Sequence, residues 1–187
     1  MNPKKIVITG GPSTGKTSVI ESLEKMGFTC LHEVIRSMTL AEKEQAGLES
    51  FVINPIISVE DPIQFNTQLL QQRIAQYQSV TGSNKDIVFF DRGIPDVLAY
   101  MDCFGQDYDE TFTEACKMFR YDMVLIMPPW PEIHVVDSAR FESYEESLSV
   151  HECLQNTYRH FGYTLHSVPK GSVEERRNHI LNLLNPE

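Results

Sequence analysis

The chain contains no long apolar run: nothing approaches the roughly 20 residues that a helix needs to span a bilayer, so a helical membrane protein is not expected. Cysteine is sparse. Cys30, Cys103, Cys116 and Cys153 stand far apart, with no C-x-x-C pair, and each lies in an apolar or helical context. A disulfide framework is therefore not expected, and the thiols read as small hydrophobes. Positive charge is also short, with 16 Lys and Arg against 26 Asp and Glu and a formal net charge of −10. That balance argues against general binding to nucleic acid or to anionic membranes, both of which need basic surfaces. There is no internal repeat, low-complexity tract or linker, so residues 1–187 read as a single domain. Met1-Asn2-Pro3-Lys4 runs directly into a strand pattern, and no signal peptide is expected. The reading is a soluble, cytoplasmic protein.

What the chain does have is Gly10-Gly11-Pro12-Ser13-Thr14-Gly15-Lys16-Thr17-Ser18. Gly10, Gly15, Lys16 and Thr17 fill every fixed position of G-x-x-x-x-G-K-[ST]. Glycines let the backbone bring its N–H groups close to phosphate oxygens, and the helix that follows adds unpaired N–H groups and the positive end of its dipole. The Lys16 ammonium is expected to bridge the terminal phosphates and the Thr17 hydroxyl to ligate Mg²⁺. The context agrees: Lys5 to Thr9 is a short β-branched run, and Val19, Ile20 and Leu23 recur at helical spacing before Gly27. Strand, glycine-rich loop and helix together predict a nucleoside triphosphate site.

Further strands are expected at Thr29 to Leu31, Ile87 to Phe90, Tyr121 to Met127 and Tyr163 to Val168. Helices are expected at Ile35 to Ala46, from Asp61-Pro62 to Val80, at Ile94 to Cys103, at Glu110 to Phe119, from about Glu146 to Phe161 and at Val173 to Leu184, with a surface loop over Leu48 to Asp61. Alternation of this kind predicts an α/β fold, a parallel sheet in three layers with helices on both faces. The polar, proline-broken stretch at about 128–147 reads as a lid.

Other residues gather around the expected site. Asp91 ends an apolar strand, the place where ligands sit in open α/β sheets, and is expected to hold Mg²⁺ beside Thr17. Arg92 clamps a substrate phosphate or carboxylate, or forms a surface ion pair. Glu33 ends the second strand and is placed to act as general base, with Arg36 one turn onward to orient substrate or to pair with Glu33. His32-Glu33 does not open an H-E-x-x-H zinc motif, because position 36 is arginine. In the lid, Asp137, Arg140 and Glu142 are the polar residues of interest. Arg140 reaches the phosphates as a cis arginine, or belongs to a solvated charged loop. Trp130 caps a flat ring or anchors the lid. Pro169 and Ser172 edge the purine, and Ser172 with Glu175 also forms a capping box. Gln68, Gln72, Arg73, Tyr77 and Tyr100 are candidates for the acceptor pocket. Asn84-Lys85-Asp86 is one residue short of the guanine-reading N-K-x-D motif and precedes a strand, so it carries no case for GTP.

The order of these elements resembles a known family. The phosphate loop is followed by Glu33-Val34-Ile35-Arg36, Phe90-Asp91-Arg92-Gly93, a Trp-containing lid with Asp137 and Arg140, and Val168-Pro169 to Arg176. This is similar to the small P-loop ATPase and kinase-like family that includes the nicotinamide riboside kinase domain of bacterial NAD-biosynthesis regulators, and more distantly to deoxynucleoside and thymidylate kinases. The resemblance implies the sheet order 2-3-1-4-5. It also implies that Gly10 to Ser18 bind the triphosphate, that Asp91 serves Mg²⁺, that Glu33 or Asp91 is the base, and that Arg92 and Arg140 touch phosphates. Nucleoside kinases carry more than one lid arginine, whereas Pro128 to Ser147 here holds only Arg140 among acids.

The leading expectation is an ATP- and Mg²⁺-dependent kinase that acts on a nucleoside-like or other small hydroxyl compound. A nucleotide-controlled regulatory ATPase with a protein partner is the alternative, and a GTP-preferring relative is a weaker one.

Overall fold

The computed structural model describes residues 2–35, 61–134 and 143–184. Its centre is β1 (Lys4–Thr9), paired in parallel on one side with β3 (Ile87–Asp91) and on the other with β4 (Met123–Ile126). β2 (Thr29–Leu31) extends the sheet beyond β3, and β5 (Leu165–Ser167) extends it beyond β4. The order is β2-β3-β1-β4-β5 and every pairing is parallel, as the family resemblance implied.

Pleating sends alternate side chains to opposite faces, and in a sheet covered on both sides each set needs its own apolar layer. Ile6, Ile8, Phe89, Leu125 and Met127 face α1 (Lys16–Lys25) and α6 (Val173–Leu184), where they meet Val19, Ile20, Leu23 and Ile180. Val7, Val88, Phe90, Val124 and Ile126 turn the other way. They pack in one cluster with residues of α2 (Pro62–Ser79), α3 (Ile94–Cys103), α4 (Glu110–Met118) and α5 (Tyr144–His160). The strands read as continuous apolar runs because both faces are buried.

Helix starts follow local chemistry. Asp61 accepts from the Gln64 N–H at 2.9 Å and Pro62 occupies the first turn of α2. Ser172 and Glu175 form their capping box ahead of α6. One boundary differs from expectation: α5 begins at Tyr144 and not near Glu146. Ser143 caps the Glu146 N–H at 3.1 Å and Glu146 returns a bond to the Ser143 N–H at 2.7 Å. Glu145 and Glu146 therefore lie in a helical first turn, where the dipole favours them. Within the expected lid, Pro131–Ile133 forms a 3₁₀ turn. The expected helix at Ile35 to Ala46 begins with helical Val34 and Ile35, and the rest of it lies outside the described residues, as does the surface loop but for its last residue, Asp61. Among the described residues no helix is long and apolar enough to cross a membrane.

A buried carboxylate also lies among the apolar layers. Asp96, in the first turn of α3, is 1% exposed. Its oxygens accept from the Thr9 hydroxyl at 2.6 Å, the Tyr158 hydroxyl at 2.6 Å and the Gly93 N–H at 2.8 Å, and Arg92 lies 3.3 Å away. Four donors offset what would otherwise be a costly desolvation. Gly93 makes this convergence possible through space and not through its dihedrals, since a Cβ there would stand 2.5 Å from the Tyr158 hydroxyl oxygen. Replacing Tyr158 with Phe should lower unfolding stability by about 1–3 kcal/mol, because a buried acceptor loses its partner. Urea denaturation measures it, and an unchanged midpoint would mean that Asp96 does not depend on that hydroxyl.

Candidate nucleotide site

The loop from Gly10 to Ser18 leaves the carboxyl end of β1 and enters α1, whose N-cap is Gly15 in the left-handed region with φ of 79°. No side chain caps this helix, so its first turn faces the loop without a competing side-chain acceptor. The Thr14 hydroxyl donates to the Gly11 carbonyl at 3.0 Å and closes the loop. The Lys16 ammonium lies inside it and donates to the carbonyls of Gly10 at 2.9 Å and Gly11 at 2.7 Å. Burial, followed by the nearby Arg92 charge, lowers the Lys16 pKa to about 7, against opposing contributions from Asp91, Glu33 and Asp96. Pro12, Ser13 and Thr17 are half-buried, and Ser18 is exposed at the mouth.

Glu33, just beyond β2, is held from two sides. Its Oε1 accepts from Arg73 Nη2 at 2.7 Å, and its Oε2 pairs with Arg92 Nε. Arg92 goes on to donate to the Gly10 carbonyl at 3.2 Å and lies over the Tyr100 ring at 5.1 Å. Burial works against its charge, but Tyr100, Glu33, Asp96 and Asp91 overcome this and hold its pKa well above the usual arginine range. With a side chain only 12% exposed, Arg92 is not a surface ion pair. Its φ of 73°, like the φ of 55° at Ser13, is a left-handed value for a non-glycine residue. Such conformations cost about 1–3 kcal/mol and persist where surrounding contacts over-determine them. Among the described residues these two are the only non-glycine cases, and both lie at this site.

Asp91 is the last residue of β3 and is buried, with Oδ1 lacking any hydrogen-bond partner. Burial, then the neighbouring Glu33 charge, pushes its carboxyl pKa up, with Lys16, Arg92 and Arg73 opposing. On the other side of the loop, Arg176 of α6 donates from Nη2 to the Thr14 carbonyl at 2.7 Å and lies over the Trp130 ring at 5.8 Å. Pro169 and Ser172 are exposed on the turn between β5 and α6, where the Ser172 hydroxyl donates to Glu175 at 2.8 Å.

The structure thus brings Lys16, Glu33, Asp91 and Arg92 together at the carboxyl ends of β1, β2 and β3. Arg36, Asp137, Arg140 and Glu142 lie outside the described residues; among the described residues Glu33 meets the side chains of Arg73 and Arg92 and the Ile35 N–H. Two acceptor-pocket candidates have other duties: the Tyr77 hydroxyl donates to the Arg120 carbonyl at 2.7 Å, and Tyr100 lies beneath Arg92. Gln68 and Gln72 are exposed. Sequence reasoning missed Asp96 and the part played by Arg176. Asp96 had a local signal, standing four residues after Arg92 and three after the N-cap Gly93 at the head of a helix. Arg176 had none beyond its place in the last helix.

A family model described as an AAA domain matches residues 5–176. No protein of curated function matches the chain by sequence. Among solved structures, the deoxyadenosine kinase from M. mycoides with products superposes with a TM-score of 0.68 at 15% identity, covering 98% of this chain and 100% of that one. The NadR protein in complex with NR gives 0.70 at 19% identity, with 97% of this chain and 48% of that one covered, so here the chain spans about half the neighbour's length. Thymidylate kinase from Candida albicans gives 0.67 at 15% identity, over 98% and 91% of the two chains. At these identities the likeness is one of fold. The family match over nearly the whole chain and the P-loop kinase fold of its neighbours agree with the loop and the sheet order: the chain belongs to the AAA domain family of P-loop proteins.

Proposed function

We propose that this protein is an ATP- and Mg²⁺-dependent kinase that transfers the γ-phosphate to a hydroxyl of a nucleoside-like or other small acceptor. The observation that carries the reading is Asp91: a buried carboxylate with an unpartnered oxygen, beside the phosphate-loop lysine and the clamped Glu33. A buried acceptor without a donor is costly, and a bound cation is the partner that such a group suits.

In this reading the backbone N–H groups of Gly10 to Ser18 cradle the triphosphate, and Lys16 releases the loop carbonyls to reach its terminal oxygens. Asp91 and the Thr17 hydroxyl fit a hard cation, since both offer oxygen. Among the described residues no three His, Cys, Asp or Glu side chains could hold a metal ion, so the remaining ligands would be phosphate oxygens and water. Magnesium, when bound, neutralises charge that develops on the phosphates. Glu33 takes the proton of the attacking hydroxyl. Its Oε2 keeps a second lone pair after pairing with Arg92, while Oε1 accepts from both Arg73 and the Ile35 N–H, so the carboxylate is held in one orientation. Arg92 is braced against Gly10, so it registers acceptor and phosphate loop against each other. Pro169 and Ser172, exposed on the turn between β5 and α6, would edge the base, and Arg140 would contact the phosphates.

ADP release measured across a panel of nucleosides and small metabolites tests the proposal: at least one acceptor should stimulate turnover. Tight ATP binding with no stimulation by any acceptor would favour a regulatory ATPase. Replacing Glu33 with Gln should lower kcat by about 10²- to 10⁴-fold, the usual worth of a general base, while ATP affinity is little changed. Asp91→Asn should raise the Mg²⁺ concentration needed for half-maximal turnover, and an unchanged Mg²⁺ titration would remove Asp91 from the metal site. Trp130 is the only tryptophan, so ATP binding is expected to alter intrinsic emission directly.

A further inference from the structure

Arg176 is 3% exposed, and among the described residues no carboxylate pairs with it. Its contacts are the Thr14 carbonyl at 2.7 Å, the Met127 thioether at 2.9 Å and the Trp130 ring, and its Nε is buried with no hydrogen-bond partner. Burying a guanidinium without a counter-charge costs several kcal/mol, so its retention against the phosphate loop calls for a reason.

The peptide bond supplies one. Carbonyl and N–H of a trans peptide lie in one plane and point in opposite directions. Holding the Thr14 carbonyl toward α6 therefore turns the Gly15 N–H away from α6, toward the interior of the loop. That N–H is among those a phosphate loop offers to its ligand. Gly15 is also the residue that Arg176 crowds, because a Cβ built there would lie 2.5 Å from Nη1. A left-handed glycine carries little intrinsic bias toward one peptide orientation, so an external anchor matters here.

We propose that Arg176 is a positioning residue of the nucleotide site: it pins the Thr14–Gly15 peptide with its N–H directed at the bound triphosphate, whose charge balances the buried guanidinium. The inference rests on the reading of this loop as an ATP site. It assigns a nucleotide-binding duty to the last helix, 162 residues from the loop it serves.

Isothermal titration of the full chain with Mg²⁺ and a non-hydrolysable ATP analogue tests it. Arg176→Ala and Arg176→Met should bind about 10- to 100-fold more weakly, the worth of a charge-assisted hydrogen bond with its electrostatic support, with native circular dichroism. Free guanidinium ion should restore part of the affinity to Arg176→Ala and leave the wild type unchanged, a rescue that lost packing alone would not produce. Wild-type affinity in folded Arg176→Met overturns the inference, since filling the volume would then suffice. Should both variants fail to fold, Arg176→Lys decides: it keeps the charge and loses the planar fork, so weaker binding supports the role and unchanged binding overturns it. Absence of binding by the wild type would instead overturn the nucleotide reading, and the inference with it.

Discussion

The guanidinium of Arg92 fastens three parts of the molecule that the chain itself does not join. It pairs with Glu33 beyond β2, reaches Asp96 in the first turn of α3 and donates to the carbonyl of Gly10 where the phosphate loop begins. Each contact is short-ranged and directional, and the side chain lies in an interior where such bonds are strong and unmet partners are costly. The left-handed backbone at Arg92 is sustained by this over-determination. Asp96 then carries the connection onward to Thr9 and Tyr158, so the end of β1 and the body of α5 are tied to the same cluster.

The charges divide unevenly around the loop. On the β2–β3 side, Arg73 and Arg92 meet Glu33 and Asp96, so cations and carboxylates largely answer each other. Asp91 is the exception, with one oxygen unanswered. On the α6 side Arg176 stands without a carboxylate among the described residues. A fold selected only for stability would have little use for either group. Their positions on opposite flanks of a phosphate loop suit a ligand that brings a cation to one and anionic oxygens near the other.

Much of this was legible locally. The phosphate loop is a contiguous motif whose spacing encodes its backbone shape, and the strands announce themselves as apolar runs because both faces of a parallel sheet are covered. Asp61, Ser172 and Glu175 signal their helices through bonds that close within a few residues. The start of α5 was misplaced because an acidic, polar stretch reads as loop until Ser143 and Glu146 are recognised as a reciprocal cap. Arg36, read as orienting substrate or pairing with Glu33, lies outside the described residues. The partner Arg73 of Glu33 stands 40 residues away on a helix where it looks like one polar residue among many.

The sequence by itself determined that a phosphate-loop motif follows a buried strand, that the chain alternates strands with helices, and that Asp91 ends one strand while Glu33 stands just beyond another. Those properties depend on residue type and on spacing within one or two turns of chain. Only the tertiary structure decided which charges would share a low-dielectric space: Glu33 with Arg73 and Arg92, Asp96 with Thr9 and Tyr158, Arg176 with Thr14. Side chains brought together from distant elements interact through distance and desolvation, and neither quantity is written in the order of the residues.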